Sequence, residues 1–284
     1  MRLKYQAFFL TASVLVLATA ARADVTISAD ATQNMSCGSG VCQPTASDAV
    51  LNVGDLEALL AAGNVTVTTT GSGVQANNID VTAKLGWSAN ALTLDAYQSI
   101  SVTASVTVRG ASGLSILTND GGSGGELAFF GKGHVTFKKL SGNLWINGAN
   151  FQLVNSIASL AAAIKNDSSG NYALASDYDA SKDGTYGASP IQATLRGMFE
   201  GLGNTISNLI VQIPLEKSGS STGLFEGLMG TIANLEVSSA SIDIQKYERQ
   251  RNQVIASVGI LAGSNSGSVL RVHVDGSVVA PNIT

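Results

Sequence analysis

Apolar and polar residues alternate through most of the chain from Val65 onward. Val65 and Val67 alternate with Thr66, Thr68 and Thr70. Leu92 and Leu94 share one face of residues 91–96, and Ile100, Val102, Val106 and Val108 share one face of residues 99–108. Residues 114–117, 127–130, 134–137 and 144–146 continue the series. A period of two marks half-buried strands. Turn formers such as Gly71-Ser72-Gly73, Ala89-Asn90 and Gly110-Ala111-Ser112-Gly113 separate them. Two segments switch to a helical period. Residues 52–62 carry Leu56, Leu59 and Leu60, with Asp55 as the expected cap and Gly63 as the stop. Residues 156–165 carry Ile157, Leu160, Ala161 and Ile164 behind Ser156, a good N-cap.

A stretch late in the chain recurs. GLGNTISNLIV at 201–211 is echoed by GLMGTIANLEV at 227–237 and GSNSGSVLRVHV at 263–274. The glycines Gly203, Gly230 and Gly267 lie 27 and 37 residues apart. Self-similarity at this spacing is the mark of stacked repeats. One coil cannot bury its apolar side alone, whereas a stack builds a continuous core. The expected stack places Ile206 over Ile232 over Val269, and Leu209 over Leu235 over Val272. Asn208 and Asn234 share a register in this alignment, which predicts an asparagine ladder that Arg271 ends.

Composition narrows the class. Charged residues are 13% of the 284 residues, and aromatics only 6%. Small, β-branched and glycine residues suit a thin structure of short strands and tight turns. The start reads as a cleaved export signal: Arg2 and Lys4, an apolar run at 7–17, then Ala21-Arg22-Ala23 as a small-x-small site. The run is too short for the roughly 20 residues a membrane span needs, and no later stretch is long and apolar enough either. Removing residues 1–23 takes away Arg2, Lys4 and Arg22 and no acid, so the net charge moves from −4 to −7. That balance disfavours nucleic acid as a partner, since phosphate binding needs a basic patch. Cys37 and Cys42 lie just after the signal, and in an oxidising compartment the expectation is a disulfide between them.

Candidate chemistry is sparse. Gly121–Gly125 matches G-x-S-x-G but lacks the strand-to-helix turn and the His–acid pair that a nucleophile needs. His134 and His273 are the only histidines, each in an alternating strand. Asp177, Asp179, Ser181 and Asp183 copy the front of a calcium loop, but Pro190 stands where the bidentate acid belongs. An Asx-rich turn is the expectation there, with weak calcium binding as the alternative. Mid-strand positions are mostly Thr, Ser, Asn and Val rather than the clustered acids and bases of a polysaccharide-cleaving groove, so no catalytic site and no cofactor are expected.

Gly223-Leu224-Phe225, Gly230-Thr231-Ile232-Ala233-Asn234-Leu235 and Val237 together resemble the GLUG motif of bacterial surface proteins, and residues 259–269 look like a second copy. Residues 172–179 followed by 199–209 are similar to the module that precedes that motif. Residues 91–104 and 144–153 resemble coils of filamentous-haemagglutinin-like exoproteins. The resemblance covers about residue 50 to the end. It implies an all-β chain folded as a right-handed parallel β-helix, a solenoid with two short helices. The expected division is a signal peptide (1–23), a cap with a short helix (24–64), β-helix coils (65–155), a helix and polar loop (156–190) and repeat coils (191–284). It further implies a secreted or cell-surface passenger, adhesin-like, facing a surface glycan or a host or cell-surface protein and exported by a separate outer-membrane transporter. The alternatives are a carbohydrate-active β-helix enzyme of lyase or hydrolase type and a ligand-free spacer.

Overall fold

The computed structural model describes residues 23–214, 221–245 and 257–279. Residues 1–22, with the expected export signal, and residues 215–220, 246–256 and 280–284 lie outside the described residues, and with them most of 214–221 and 245–252, which the sequence predicts to loop out of the stack. The described chain is mostly strand, with two α-helices. From Asn78 it visits three sheets in fixed order. Asn78–Val81 lies in the first sheet, Leu85–Trp87 in the second and Ala91–Asp95 in the third. Ile100–Val102, Ser105–Val108 and Gly113–Leu117 repeat the circuit; Leu127–Phe129, His134–Phe137 and Asn143–Ile146 repeat it again. Pairing between circuits is parallel, so like positions align: Ile79, Ile100 and Leu127; Leu85, Val106 and Val135; Leu92, Leu114 and Leu144. The alternation in the sequence thereby becomes apolar rows, all buried in one core.

Helix α1 (Val53–Ala62) takes the second-sheet place in the first circuit, between Ala49–Asn52 and Val65–Thr68. Asn52, not Asp55, is its N-cap, because the Asn52 Oδ1 accepts from the Gly54 and Asp55 amides. Asp55 sits in the first turn and accepts from the Thr32 hydroxyl at 2.5 Å. The helix also satisfies the strand beside it. The Glu57 carboxylate accepts from the Gly86 amide at 2.7 Å, and the Leu60 carbonyl from the Asn90 amide group at 2.7 Å. An edge strand that would otherwise present bare N–H groups is thus covered.

The stack then reverses. Asn143–Ile146 and Ala149–Val154 form an antiparallel hairpin through Asn147 and Gly148, both at positive φ (49° and 78°). Asn-Gly at these two places makes the turn whose twist matches paired strands. The third sheet nevertheless runs on without a break, as Ala149–Val154, Asn171–Leu174, Met198–Glu200, Thr231–Ala233 and Ser268–Leu270. Its buried face changes at the reversal. Phe151 and Leu153 belong to the first core, while Val154, Tyr172 and Leu174 belong to a second core on the opposite face. Helix α2 (Ile157–Asn166), capped by Ser156 as expected, packs Ile157, Leu160 and Ile164 into that second core. The 65–155 stretch is therefore not one uniform run of coils, since the hairpin at 147–148 ends it.

Beyond α2 a second circuit closes on two further sheets. Thr205–Ser207, Ile210–Pro214, Glu236–Gln245 and His273–Val279 build one; Phe225–Leu228 and Ala262–Asn265 form the other. Here the repeat alignment needs correction. Ile206 pairs with Val237, and Val237 with Val274. Ile232 pairs with Phe199 on one side and Val269 on the other. Gly203, Ile206, Asn208 and Leu209 thus occupy the next side of the circuit, not the side of Gly230 and Ile232. Gly230, Ile232, Asn234 and Leu235 do stack in phase with Gly267, Val269, Arg271 and Val272, as their flanking pairs require. The first copy misaligns because both segments put glycine just before Thr-Ile, for different reasons. Gly203 takes a left-handed φ of 73°, whereas a Cβ on Gly230 would stand 1.9 Å from Gly197 O. Between Glu200 and Thr205 the chain holds four residues where Ala233 to Glu236 holds two. Leu202 and Gly203 are that insertion.

Candidate functional site

The outward face of the third sheet, in the first half, is built by the same alternation that builds the core. Thr66, Thr93, Ser115 and Trp145 align across four strands, and Trp145 aligns next with Asn150. One step earlier on the same face stand Asn64, Ala91, Gly113 and Asn143. Parallel strands about 4.8 Å apart make each row a straight line. Ala91 and Gly113 leave the middle of the outer row low. A trough of about 280 Å³ lies over them, bordered by Asn64, Asn90, Asn143, Ser115 and Trp145. Trp145 is 45% exposed, whereas Trp87, the other tryptophan, is 4% exposed within the first core. The sequence reading saw Trp145 only as part of a coil-like segment. The signal available was a tryptophan at an outward position of a row otherwise made of Thr and Ser.

Some polar groups on other faces are tied up, although the outward hydroxyls of Thr26, Ser105 and Thr107 have no hydrogen-bond partner among the described residues. Ser101 hydrogen-bonds Asp80, and Asn78 donates to Asp24 at 2.9 Å. Asn147 accepts from the Thr118 amide at 2.8 Å. Beside the trough, the Asn64 carbonyl oxygen accepts from the Ala91 amide, and the Asn90 amide group donates to Leu60. The hydroxyls of Thr66, Thr93 and Ser115 and the Asn143 side chain have no hydrogen-bond partner among the described residues. A third row on this face contains Asp95, with Asp120 nearby. Burial, then the Asp120 charge, pushes the Asp95 carboxyl up to about 6.

A second concentration of chemistry lies where the two halves meet. The insertion at 202–203 reaches the edge strand His134–Phe137: Val135 N–H donates to Leu202 O at 2.9 Å, and Phe137 N–H to Ala175 O at 2.7 Å. Asn204, fully buried, donates its amide group to Val135 O at 2.9 Å and Leu174 O at 3.0 Å. Glu200 is 1% exposed, and its oxygens accept from Leu202 N–H (2.9 Å) and the Asn234 amide group (3.2 Å). Burial raises Glu200 to about 7 against the pull of those two bonds and of Arg271. Arg271 donates from Nε to Asn234 Oδ1 at 2.8 Å. These groups knit the halves together. Asn204 and Glu200 were missed in the sequence because Gly203 and Asn204 were read as a repeat turn.

The expected asparagine ladder is absent. Asn208 and Asn234 lie at different bends, and each donates to an acid of the preceding circuit, Asn208 to Asp179 at 2.9 Å and Asn234 to Glu200. Arg271 does cap Asn234, as its place in the repeat implied. The 177–183 segment makes an Asx-capped 3₁₀ turn at Ala180–Asp183. Asp177 accepts from Thr205 N–H, Asp179 from Ser181 N–H, and Asp183 from the Tyr178 and Tyr186 hydroxyls. The bond from Asn208, then those from Ser181, hold Asp179 below its ordinary value, and burial followed by the Asp183 bond pushes Tyr178 up to about 12. Each carboxylate thus accepts from neighbouring groups of the chain, and no group of three or more metal-ligating residues occurs among the described residues. Cys37 and Cys42 face each other across an antiparallel hairpin and are joined by a disulfide. No helix among the described residues is long and apolar enough to cross a membrane. Comparison with models of known protein families, with curated proteins and with solved structures finds no match to this chain.

Proposed function

We propose that the chain is a secreted or cell-surface attachment protein, adhesin-like, built as a right-handed parallel β-helix whose polar third-sheet face meets a surface. The winding sense follows from a strong steric preference: parallel strands joined by a crossover are right-handed in about 98% of cases. Reversing the strand direction while moving the core to the other face of the third sheet leaves that sense unchanged in the second half. The resemblance to GLUG-containing and filamentous-haemagglutinin-like exoproteins points the same way. The observation that carries the reading is the outward face itself, with aligned Thr66, Thr93 and Ser115 hydroxyls that nothing among the described residues engages. A stiff row of such groups makes many weak contacts at fixed spacing, and display of several copies multiplies them. Its partners would be glycans or cell-surface proteins, reached after export through an outer-membrane transporter.

The test is attachment of the purified chain to a glycan array and to cells, run beside a reducing-end release assay on polysaccharides. Binding without turnover supports the reading. Release of new reducing ends supports instead a carbohydrate-active β-helix enzyme, for which the Asp95–Asp120 pair on the same face is the specific observation. Neither result leaves a structural spacer.

A further inference from the structure

We infer that the trough beside Trp145 is a subsite for a neutral, unbranched glycan, whose pyranose ring stacks on the indole. The inference rests on the attachment reading and names the ligand class for it. Three observations converge. Trp145 is the large aromatic ring of this face, held open on a flat sheet rather than folded into a core. A sugar ring has an apolar face of C–H groups and an edge of hydroxyls; a tryptophan meets the first, and amides and hydroxyls meet the second. Asn143 and Ser115 supply those groups at the trough, unpartnered within the described chain, and Thr93 continues the Ser115 row beside it.

The second observation is shape. Ala91 and Gly113 form a floor without bulk between Asn64 and Asn143. Gly113 does not owe its identity to the backbone. A Cβ there would meet the Ala91 Cβ at 3.4 Å, an ordinary contact, and its φ is not left-handed. Its smallness therefore serves the outer surface.

The third observation is charge. Among the described residues no ionisable side chain borders the trough. The nearest ionisable row on the face is acidic, through Asp95 and its partner Asp120. Uronate or sulfated sugars would meet repulsion and no cation. The trough likewise lacks the arginine and clustered aromatic residues that anchor protein partners. The rows run across the strands, so the ligand lies along the stack and passes one strand, about 4.8 Å, at a time, close to the length of one pyranose unit.

The two tryptophans make the test direct. Trp87 is buried, so acrylamide quenching of the intrinsic fluorescence reports on Trp145. The purified chain is titrated with cello-, malto- and chito-hexaose, and with a hexagalacturonate and a heparin-derived hexasaccharide. A neutral hexaose should shield Trp145 saturably, and the two acidic ones should not. Calorimetry then compares variants that keep the fold. Trp145→Ala should weaken binding at least ~10-fold, whereas Trp145→Phe, which keeps an aromatic face, should stay within about 5-fold. Gly113→Leu, which fills the trough and leaves the indole in place, should abolish the shielding. Equal or stronger binding of an acidic hexasaccharide overturns the inference. So does neutral-glycan binding that survives both Trp145→Ala and Gly113→Leu, and the attachment reading then stands with its site elsewhere. Cell attachment without binding of any hexasaccharide also overturns it in favour of a protein receptor. Failure of both attachment and glycan binding removes the attachment reading itself.

Discussion

Arg271 and Glu126 are 145 residues apart in the chain, and their side chains meet at 2.5 Å. Glu126 immediately precedes the last first-sheet strand of the first half, Leu127–Phe129, and Arg271 caps the Asn234 corner of the second. The pair spans the seam between the halves. Both side chains are partly open to solvent, at 32% and 52%. An exposed ion pair contributes at most about 1 kcal/mol. Arg271 also donates to the buried Asn234 side-chain oxygen Oδ1, which would be left unpaired without it. Glu126→Gln should therefore cost under about 1 kcal/mol, and Arg271→Ala about 2–3 kcal/mol. Urea unfolding of both variants and the double variant checks this. Equal losses in the two single variants would place all of the value in the ion pair.

Glu200 makes the seam sensitive to pH. Its folded pKa, about 7, stands above the ordinary 4.5 because burial opposes its charge. Below about 4.5 both the folded and the unfolded chain hold the proton. Between about 4.5 and 7 the unfolded chain loses it first, so this group lowers stability as pH rises, and the effect levels off above 7. Glu200→Gln should flatten that slope and stabilise the protein above pH 7, by on the order of 3 kcal/mol at the upper limit. Urea midpoints at pH 4.5, 6 and 8 measure it. A steeper slope in the variant would show that the charged form is the favoured one.

Glycines mark the true phase of the repeat. A Cβ on Gly197 would stand 2.1 Å from Gly170 O, on Gly230 1.9 Å from Gly197 O, and on Gly267 2.0 Å from Gly230 O. Each of these carbonyls also receives an amide of the next circuit, so none is free to move aside. Gly230→Ala is expected to cost more than about 3 kcal/mol through backbone displacement. Gly113→Ala, with ordinary contacts only, should lie within about 0.5–1 kcal/mol of the natural chain. Thermal unfolding of the two variants side by side decides whether the column is structural.

The Cys37–Cys42 bridge closes a small loop, so its effect on the unfolded chain is modest, about 2 kcal/mol. Reduction should lower the thermal midpoint by several degrees and loosen the hairpin Met35–Gly38 and Val41–Pro44 first. Hydrogen exchange on the oxidised and reduced protein would show whether the loss stays local.

Strands and both helices were legible because period two and period 3.6 are local signals: Leu92 and Leu94 announce their face without reference to any other segment. The disulfide was legible from spacing and compartment. The reversal at Asn147-Gly148 was also written plainly, as the strongest short hairpin signal, but the surrounding segment had been grouped with coil-like text. Register was the illegible part. Thr205-Ile206 and Thr231-Ile232 look alike because glycine precedes both, at Gly203 for a left-handed turn and at Gly230 for close approach to the Gly197 carbonyl. Only the pairing across 30 or so residues, governed by a two-residue insertion, tells them apart. Glu200 and Asn204 carried no signal because burial of a polar group depends on what packs above it. Trp145 carried half a signal, its outward phase, while the low floor at Gly113 beside it emerges only when four strands lie abreast.

The change of core face at the hairpin has one more result. The face that bears Trp145 continues, past Asn150 and Gln152, into the face on which α2 stands over Tyr172 and Leu174. The platform is therefore a dead end on that side. Three strand spacings, about 14 Å, separate Thr66 from Trp145. A polymer lying on it has room for roughly three sugars before its tip abuts the helix. Such a surface would read chain termini rather than the middle of a long strand.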